Sequence, residues 1–596
     1  MTNTSIKLKI PTQDLEAPSG FSASVRGVTR WLDGLTDDTL VEDLSMALEE
    51  LNRCKINAEA RYDIAELLRP QVEKARSGLA RLYLNQSPLI SKESLHEAER
   101  ADKLCTLLGT AYTVSAVEVL TDGGVENAAK LACEAIYRSL CCSGQEILQS
   151  MQLYRPLHIY GWMNLHQLYA LAEQQNIADL PVPDPISGAA TITSAYLQSI
   201  LLCCCQPNRL RQADLAALQK ALADWAQHAE LVSEPKESSL FVVDIDSDQP
   251  PLYRHLVPEE VAGRRLFLNT DRLLRGLREL MRRAEQSGAT IEKESRLPLN
   301  ILEQVISALG DKRTRSFKRL PTGGSLSLSL GLNNCHFHVA SGLIFEQVLY
   351  GAVFEASKQI EEERFTPPLP HTDIWHQANP VEDGVPSAMN HPDESIELDD
   401  VSRARVFRDE ERDGLEDSVS HYPIYQAPLA DVSPGGYCLE LDPAFPGELR
   451  TGEVVCLREG DSSLWQIAAI RWLHMPSESR LLAGLELLSP RARAYGACIH
   501  EESGDKAPPT RALLLPEIKL VGQPPTLLTP RAGFRVRQRL TLVTAEETQT
   551  VQLTELISYT GSYSQFEFKP IRELGDVLAE ENNELTGGDD SLWTTL

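Results

Sequence analysis

Two short stretches of this sequence carry side chains whose types and spacing suit the recognition of a phosphorylated purine. The first is Lys312-Arg313-Thr314-Arg315-Ser316-Phe317-Lys318-Arg319, five cations in eight residues, directly ahead of a Pro321-Thr322-Gly323-Gly324 turn. Guanidinium groups grip phosphate oxygens in bidentate fashion, donate to O6 and N7 of a guanine, and stack on base faces. The second is Asp431-Val432-Ser433-Pro434-Gly435-Gly436. Its carboxylate can accept the N1–H and N2–H donors of a guanine, and glycine lets a large ring approach the backbone. Taken singly, each has a plainer reading. A basic run is usually solvated surface, and Asp-x-Ser followed by Pro-Gly is usually an Asx-turn between strands.

Other chemistry is thinly represented. The sequence has no GxxxxGK[ST] loop, HExxH, GxSxG elbow or GxGxxG motif. His336-Phe337-His338 reads as two imidazoles on one face of a strand, without a third ligand nearby, so no metal site is expected. Twelve cysteines include no CxxC pair. The contiguous Cys141-Cys142 and Cys203-Cys204-Cys205 suit small buried residues of a reduced protein better than a tetrahedral metal site. No catalytic residue is assigned, and the chain is read as a non-enzyme with no cofactor.

The elements that must position the two stretches follow from length and pattern. At 596 residues and 66.1 kDa the chain is long enough for three or four domains. A net charge of −28 argues against coating DNA or an anionic membrane, because both are polyanions. The longest apolar runs fall short of the roughly 20 residues that a bilayer span needs. The first residues have no apolar core or cleavage site, which leads to the expectation of a cytoplasmic protein without membrane insertion.

After an N-terminal segment 1–36, residues 37–235 show helical periodicity, as in Leu40, Leu44, Ala47, Leu48 and Leu51. A small α/β unit is expected over 236–310, with a strand at Leu240–Ile245 and helices at Thr270–Gln286 and Leu299–Leu309. The arginines 272, 275, 278, 282 and 283 then form a solvated or acid-paired helix face. Ser325–Leu330 alternates without a break, the pattern of a half-buried strand, within a first β segment over 311–360. From Glu361 to Asp417 there are 17 acidic residues against five arginines and no lysine, so 361–418 reads as an acidic disordered insertion. Strands resume over 419–500, a further β-rich domain covers 505–572, and 573–596 is an acidic tail.

An RxxxR motif followed by a strand and then DxSxxG resembles the PilZ domain, the bacterial receptor for cyclic di-GMP. Gly452–Leu457, Trp465–Trp472 and Ala483–Leu488 resemble the later strands of that barrel. The resemblance covers about 315–339 plus 422–495. It implies that Arg315 and Arg319, with Arg313 beside them, clamp the dinucleotide's phosphates and guanines. It also implies that Asp431 and Ser433 contact a guanine and that Gly436 keeps the loop open. Arg408/Arg412 is a rival RxxxR, closer to Asp431 in sequence. Arg315/Arg319 is preferred because an alternating strand follows at once, whereas Arg408/Arg412 is flanked by Asp409, Glu410, Glu411 and Asp413. The stretch from Ala512 to Phe568 reads as a second, degenerate barrel packed on the first.

The expected fold is α+β and multidomain: an N-terminal all-α helical bundle, an antiparallel PilZ-like β-barrel and a further β-rich domain. The resemblance implies a non-catalytic cyclic di-GMP effector in control of motility, pilus function, adhesion or biofilm, with the helical half meeting an unidentified protein partner. The alternative is a scaffold or chaperone-like interaction protein whose barrel is ligand-free. RNA binding through 312–319 is weaker, because Phe317 is the only aromatic there.

Overall fold

A computed structural model describes residues 7–86, 91–121, 127–184, 188–258, 263–287, 297–311, 320–351, 422–443, 445, 449–460, 462–500, 506–518 and 522–571. The chain divides into two compact units. The first is Met1–Ser316 with Leu441–Thr451 and Trp472–Leu482; the second is Phe317–Glu440, Gly452–Arg471 and Ala483–Leu596.

The first unit is built on α1 (Val25–Leu32), α2 (Leu40–Arg53), α3 (Ala58–Tyr83), α4 (Lys92–Thr121), α5 (Ala128–Gln152), α6 (Gly161–Gln174), α7 (Ile192–Cys204) and α8 (Gln212–Trp225). Starts are set by side-chain caps: Asn57 Oδ1 accepts from Ala60 N–H at 2.7 Å, and Thr191 with Ser194 forms a capping box. The apolar stripe of α2 is buried as its spacing requires. Arg61 is fully buried and binds the end of α2, donating to Leu51 O and Cys54 O and pairing with Glu118 at 3.1 Å. Among the described residues one helix, α4, is long and apolar enough to cross a membrane, although charges and small polar residues break it into short apolar runs. It is a core helix: Ala101, Leu104, Leu108, Ala111 and Tyr112 are all buried, and a helix enclosed by others is apolar on most faces.

A small hairpin, β1 (Val182–Asp184) and β2 (Gly188–Ala190), joins α6 to α7. β3 (Glu230–Val232), β4 (Phe241–Asp244), β5 (Leu252–Tyr253) and β6 (Arg265–Asn269) then form a sheet in the order β3-β6-β4-β5. It is followed by α9 (Asp271–Ser287) and α10 (Leu299–Gly310). The sheet and these two helices share one continuous core with the bundle, from Phe21 to Leu309. Arg282 and Arg283 flank Glu279 at 2.8 and 2.9 Å, and these hydrogen bonds hold its carboxyl down at about 2.

In the second unit, β7 (Leu320–Pro321), β8 (Ser325–Leu330), α11 (Leu332–Val339) and α12 (Phe345–Tyr350) precede β9 (Tyr425–Ser433), β10 (Gly436–Leu441), β11 (Val454–Glu459), β12 (Gln466–Ser477) and β13 (Arg480–Ser489). The order β10-β13-β12-β11-β8-β9 closes on itself through a β9–β10 pairing, with β7 added on β9. A second closed barrel has the order β14-β15-β16-β19-β18-β17. Its strands are β14 (Arg493–Ile499), β15 (Thr510–Leu515), β16 (Thr526–Pro530), β17 (Arg539–Val543), β18 (Thr548–Tyr559) and β19 (Tyr563–Pro570). β14 falls within the range read as first barrel, yet its ladder partners are β15 and β17 of the second.

The barrels are packed on each other. Leu332 and Cys335 of α11 lie in one core with Val454, Cys456, Ile467 and Ala469 of the first barrel and Leu513, Leu528 and Tyr563 of the second. This explains why β8 is buried on both faces rather than half-buried. Ser329 is fully buried and donates to Pro423 O at 2.7 Å, while Ser327 accepts from Gln426 Nε2 at 3.0 Å. His336 and His338 also depart from expectation, because 332–339 is a helix. There the two rings diverge: His336 Nε2 lies 3.1 Å from Tyr495 O, and the His338 ring is 4.9 Å from Trp465. No three His, Cys, Asp or Glu residues gather as metal ligands among the described residues, and all twelve cysteines are free thiols.

Candidate functional site

The Asp431–Gly436 stretch forms the tight hairpin that joins β9 to β10. Pro434 and Gly435 are the two residues between the strands, and Ser433 stands opposite Gly436. Ser433 Oγ donates to Gly436 O at 3.3 Å across the turn. Asp431 is opposite Cys438 on one side and Pro321 on the other; Val432 is opposite Tyr437 and Leu320. The motif is thus the middle rail of three strands, β7-β9-β10.

Strand alternation puts Asp431 and Ser433 on one face and Val432 on the other. Tyr437 shares the Val432 face, where its hydroxyl lies 2.9 Å from Gln466 Oε1 and 3.2 Å from Glu459 Oε1; burial pushes its phenol up. Asp431 and Ser433 are half-buried, open enough to meet a ligand while their backbone is fixed.

Gly436 answers to the neighbouring strand. Its φ is +152°, and a Cβ there would lie 1.9 Å from Leu485 O of β13. Leu487 N–H donates to Gly435 O at 3.0 Å, so β13 abuts the turn from below. The same position would put a Cβ 3.2 Å from Glu486 Cα. Glu486 is ion-paired with Arg471 of β12, and the Arg471 side chain is only 24% exposed. Sequence reasoning used Ile470-Arg471-Trp472 and Gly484-Leu485-Glu486 as strand markers and missed this pair beside the turn. An arginine in an otherwise apolar strand, one strand from an acid, was the available signal.

The cationic half of the expected site, Arg313, Arg315 and Arg319, lies outside the described residues, as do Arg408 and Arg412. Leu320, the next residue after Arg319, is already registered on Val432. After a one-residue shift in register the pairing resumes on the same strand, with Leu429 N–H donating to Gly324 O at 2.9 Å and Ser325, Leu326, Ser327 and Leu328 opposite Pro428, Ala427, Gln426 and Tyr425. The segment that follows Arg412 in sequence enters β9 at Tyr425, the end away from the hairpin. Two further RxxxR pairs, Arg26/Arg30 and Arg278/Arg282, are inside helices α1 and α9.

Comparison with known proteins gives a consistent assignment along the chain. Residues 26–236 match a family described as "Cyclic-di-GMP receptor FimW, N-terminal domain", 240–494 its "middle PilZ domain", and 495–571 the "FimW C-terminal beta-barrel domain". Over 610 aligned residues the chain is 30% identical to a Pseudomonas aeruginosa protein named cyclic-di-GMP receptor FimW, with 99% of each sequence covered. No solved structure matches.

Proposed function

Because this chain belongs to the FimW family of cyclic-di-GMP receptors, we propose that it is a non-catalytic receptor that binds cyclic di-GMP at the β9–β10 hairpin. In this reading Arg315 and Arg319, with Arg313 beside them, hold phosphates and guanine faces. Asp431 accepts from a guanine Watson–Crick edge and Ser433 adds a hydroxyl contact. Gly436 contributes by letting β13 support the turn, which keeps the Asp431 and Ser433 backbone in place.

The observation that carries this reading is the register of Leu320 on Val432 and Pro321 on Asp431. It ties the chain immediately after Arg319 to the Asp431–Ser433 motif, and it favours Arg315/Arg319 over Arg408/Arg412. In this reading the helical half passes the bound state to a partner protein in the cytoplasm. Direct coupling to motility or biofilm control follows the family resemblance.

Calorimetric titration of cyclic di-GMP into wild type and Arg315→Ala/Arg319→Ala tests the site. Loss of at least a hundredfold in affinity is expected, since two charge-assisted contacts at about 1.5–3 kcal/mol each are removed. Tight binding that ignores the double substitution would move the site elsewhere. Absence of binding by the wild type would remove the receptor reading itself.

A further inference from the structure

The helical unit contains a cleft of about 560 Å³ between α3, α5, α7 and α8, within the size range of small-molecule sites. Its charge balance is unusual. Arg69 is paired with Glu66 at 3.1 Å and Glu73 at 3.5 Å, and Arg138 with Glu66 at 3.3 Å, so these two cations are matched by two acids. Arg76 and Lys220 also line the cleft, and neither forms an ion pair within 4 Å of an acid among the described residues. Arg76 is electrostatically coupled to two acids outside the cleft lining: Glu146, which is committed to Thr106 Oγ1 at 2.6 Å and His158 Nε2 at 3.3 Å, and Asp102, a carboxyl that burial raises to about 6.

Two buried polar atoms in the same cleft lack partners. Arg76 Nε makes no hydrogen bond, and neither does Gln219 Oε1, although Gln219 is only 6% exposed. A buried donor and a buried acceptor without partners are each destabilising, and they mark where a ligand supplies the missing group. The space is kept by Gly144 of α5, where a Cβ would come 3.0 Å from Ser199 Oγ and 3.7 Å from Gln219 Nε2.

We propose that this cleft binds a small phosphate monoester, its phosphate on Arg76 and Lys220 and a hydroxyl or amino group of its organic part on Gln219 Oε1. Two unmatched cations favour a dianionic phosphate over a single carboxylate, and the guanidinium fork suits phosphate oxygens. The orphan acceptor requires that the ligand also carry a donor, which inorganic phosphate or sulfate satisfies poorly.

The test uses the full-length chain, with glucose 6-phosphate and GMP as probes and potassium chloride at matched ionic strength as the control. Thermal-shift and calorimetric titrations should show stabilisation by at least one monoester beyond chloride. Arg76→Gln should weaken that monoester at least tenfold. Gln219→Met should raise the melting temperature of the unliganded chain while weakening the monoester severalfold. Both variants should keep wild-type affinity for cyclic di-GMP, which separates failure here from failure of the receptor reading. Response to both probes would assign recognition to the phosphate, and response to GMP alone would add the base. If Arg76→Gln does not fold, Lys220→Gln on the exposed rim takes its place, with a severalfold loss expected. No shift beyond chloride with either probe, equal responses in wild type and the cation variants, or binding only of a phosphoserine peptide would overturn the proposal.

Discussion

Leu320 and Val432 face each other in an antiparallel ladder although the acidic 361–418 stretch lies between them in sequence. The pairings of Leu320–Pro321 and Ser325–Leu328 with β9 therefore join chain from both sides of that stretch in one barrel sheet. An antiparallel pair brings opposite Cα atoms to about 4.5–5.5 Å, within reach of a disulfide. Leu320→Cys/Val432→Cys should cross-link under mild oxidation and, if the proposed site is right, keep its affinity for cyclic di-GMP, because the bond fixes the register on which that site rests. Peptide mapping by mass spectrometry identifies the cross-link; its absence would mean a different register.

The DxSxxG residues should separate into two classes. Asp431→Asn and Ser433→Ala change half-exposed side chains on a strand held by its backbone, so melting temperatures should fall only slightly, Ser433→Ala losing the 3.3 Å bond to Gly436 O. Affinity for cyclic di-GMP should fall about tenfold for Asp431→Asn and less for Ser433→Ala. Gly436→Ala is different, since its methyl group would collide with Leu485 O. Overpacking and backbone strain together should cost about 3 kcal/mol or more, read as a lower melting temperature without any ligand present. A Gly436→Ala protein of wild-type stability with weakened binding would return the glycine to a ligand role.

Much of this barrel was legible because its signals are local. Alternation marks β8, and Pro434-Gly435-Gly436 is turn chemistry between two apolar runs. What was misread depends on neighbours distant in sequence. Ser327 and Ser329 look solvent-facing until the 422–426 segment and α11 cover them. His336 and His338 look like one strand face, but Gly331, at φ +87°, ends β8 and starts a helix that sends them apart. The contact of Gly436 with Leu485 O of β13 is likewise invisible in the sequence, because the two strands are about 50 residues apart. The apolar character of α4 is not legible as a run because its charges and small polar residues interrupt it.

His336 gives an acid-sensitive term. It is buried, and burial lowers its pKa to about 4 despite the hydrogen bond to Tyr495 O. A base whose folded pKa is depressed contributes stability that is complete above about pH 6.5 and is lost as pH falls toward 4. The ceiling on that loss is about 3 kcal/mol. His336→Gln retains a donor but cannot titrate. Its denaturant-unfolding stability should therefore fall less steeply than wild type between pH 6.5 and 4. Parallel curves would mean that His336 is charged or solvated in the folded state.

The helical unit holds an opposed pair of titrations. Burial raises the Asp102 carboxyl to about 6, so its ionisation destabilises the fold as pH rises from about 4 through 6. Asp102→Asn should stabilise the chain by about 1–2 kcal/mol at pH 8 and not at all near pH 3.5. His158 is raised to about 9, chiefly by its hydrogen bond to Glu146 at 3.3 Å. That contribution is complete below about pH 6.5 and is lost as pH rises through 9. Its side chain is 36% exposed, so solvent screening reduces the term to about 1 kcal/mol. His158→Asn should accordingly be less stable than wild type at pH 6.5 and indistinguishable from it at pH 10, as measured by urea unfolding at both pH values. A stability deficit that persists unchanged at pH 10 would assign His158 to packing rather than to the Glu146 ion pair.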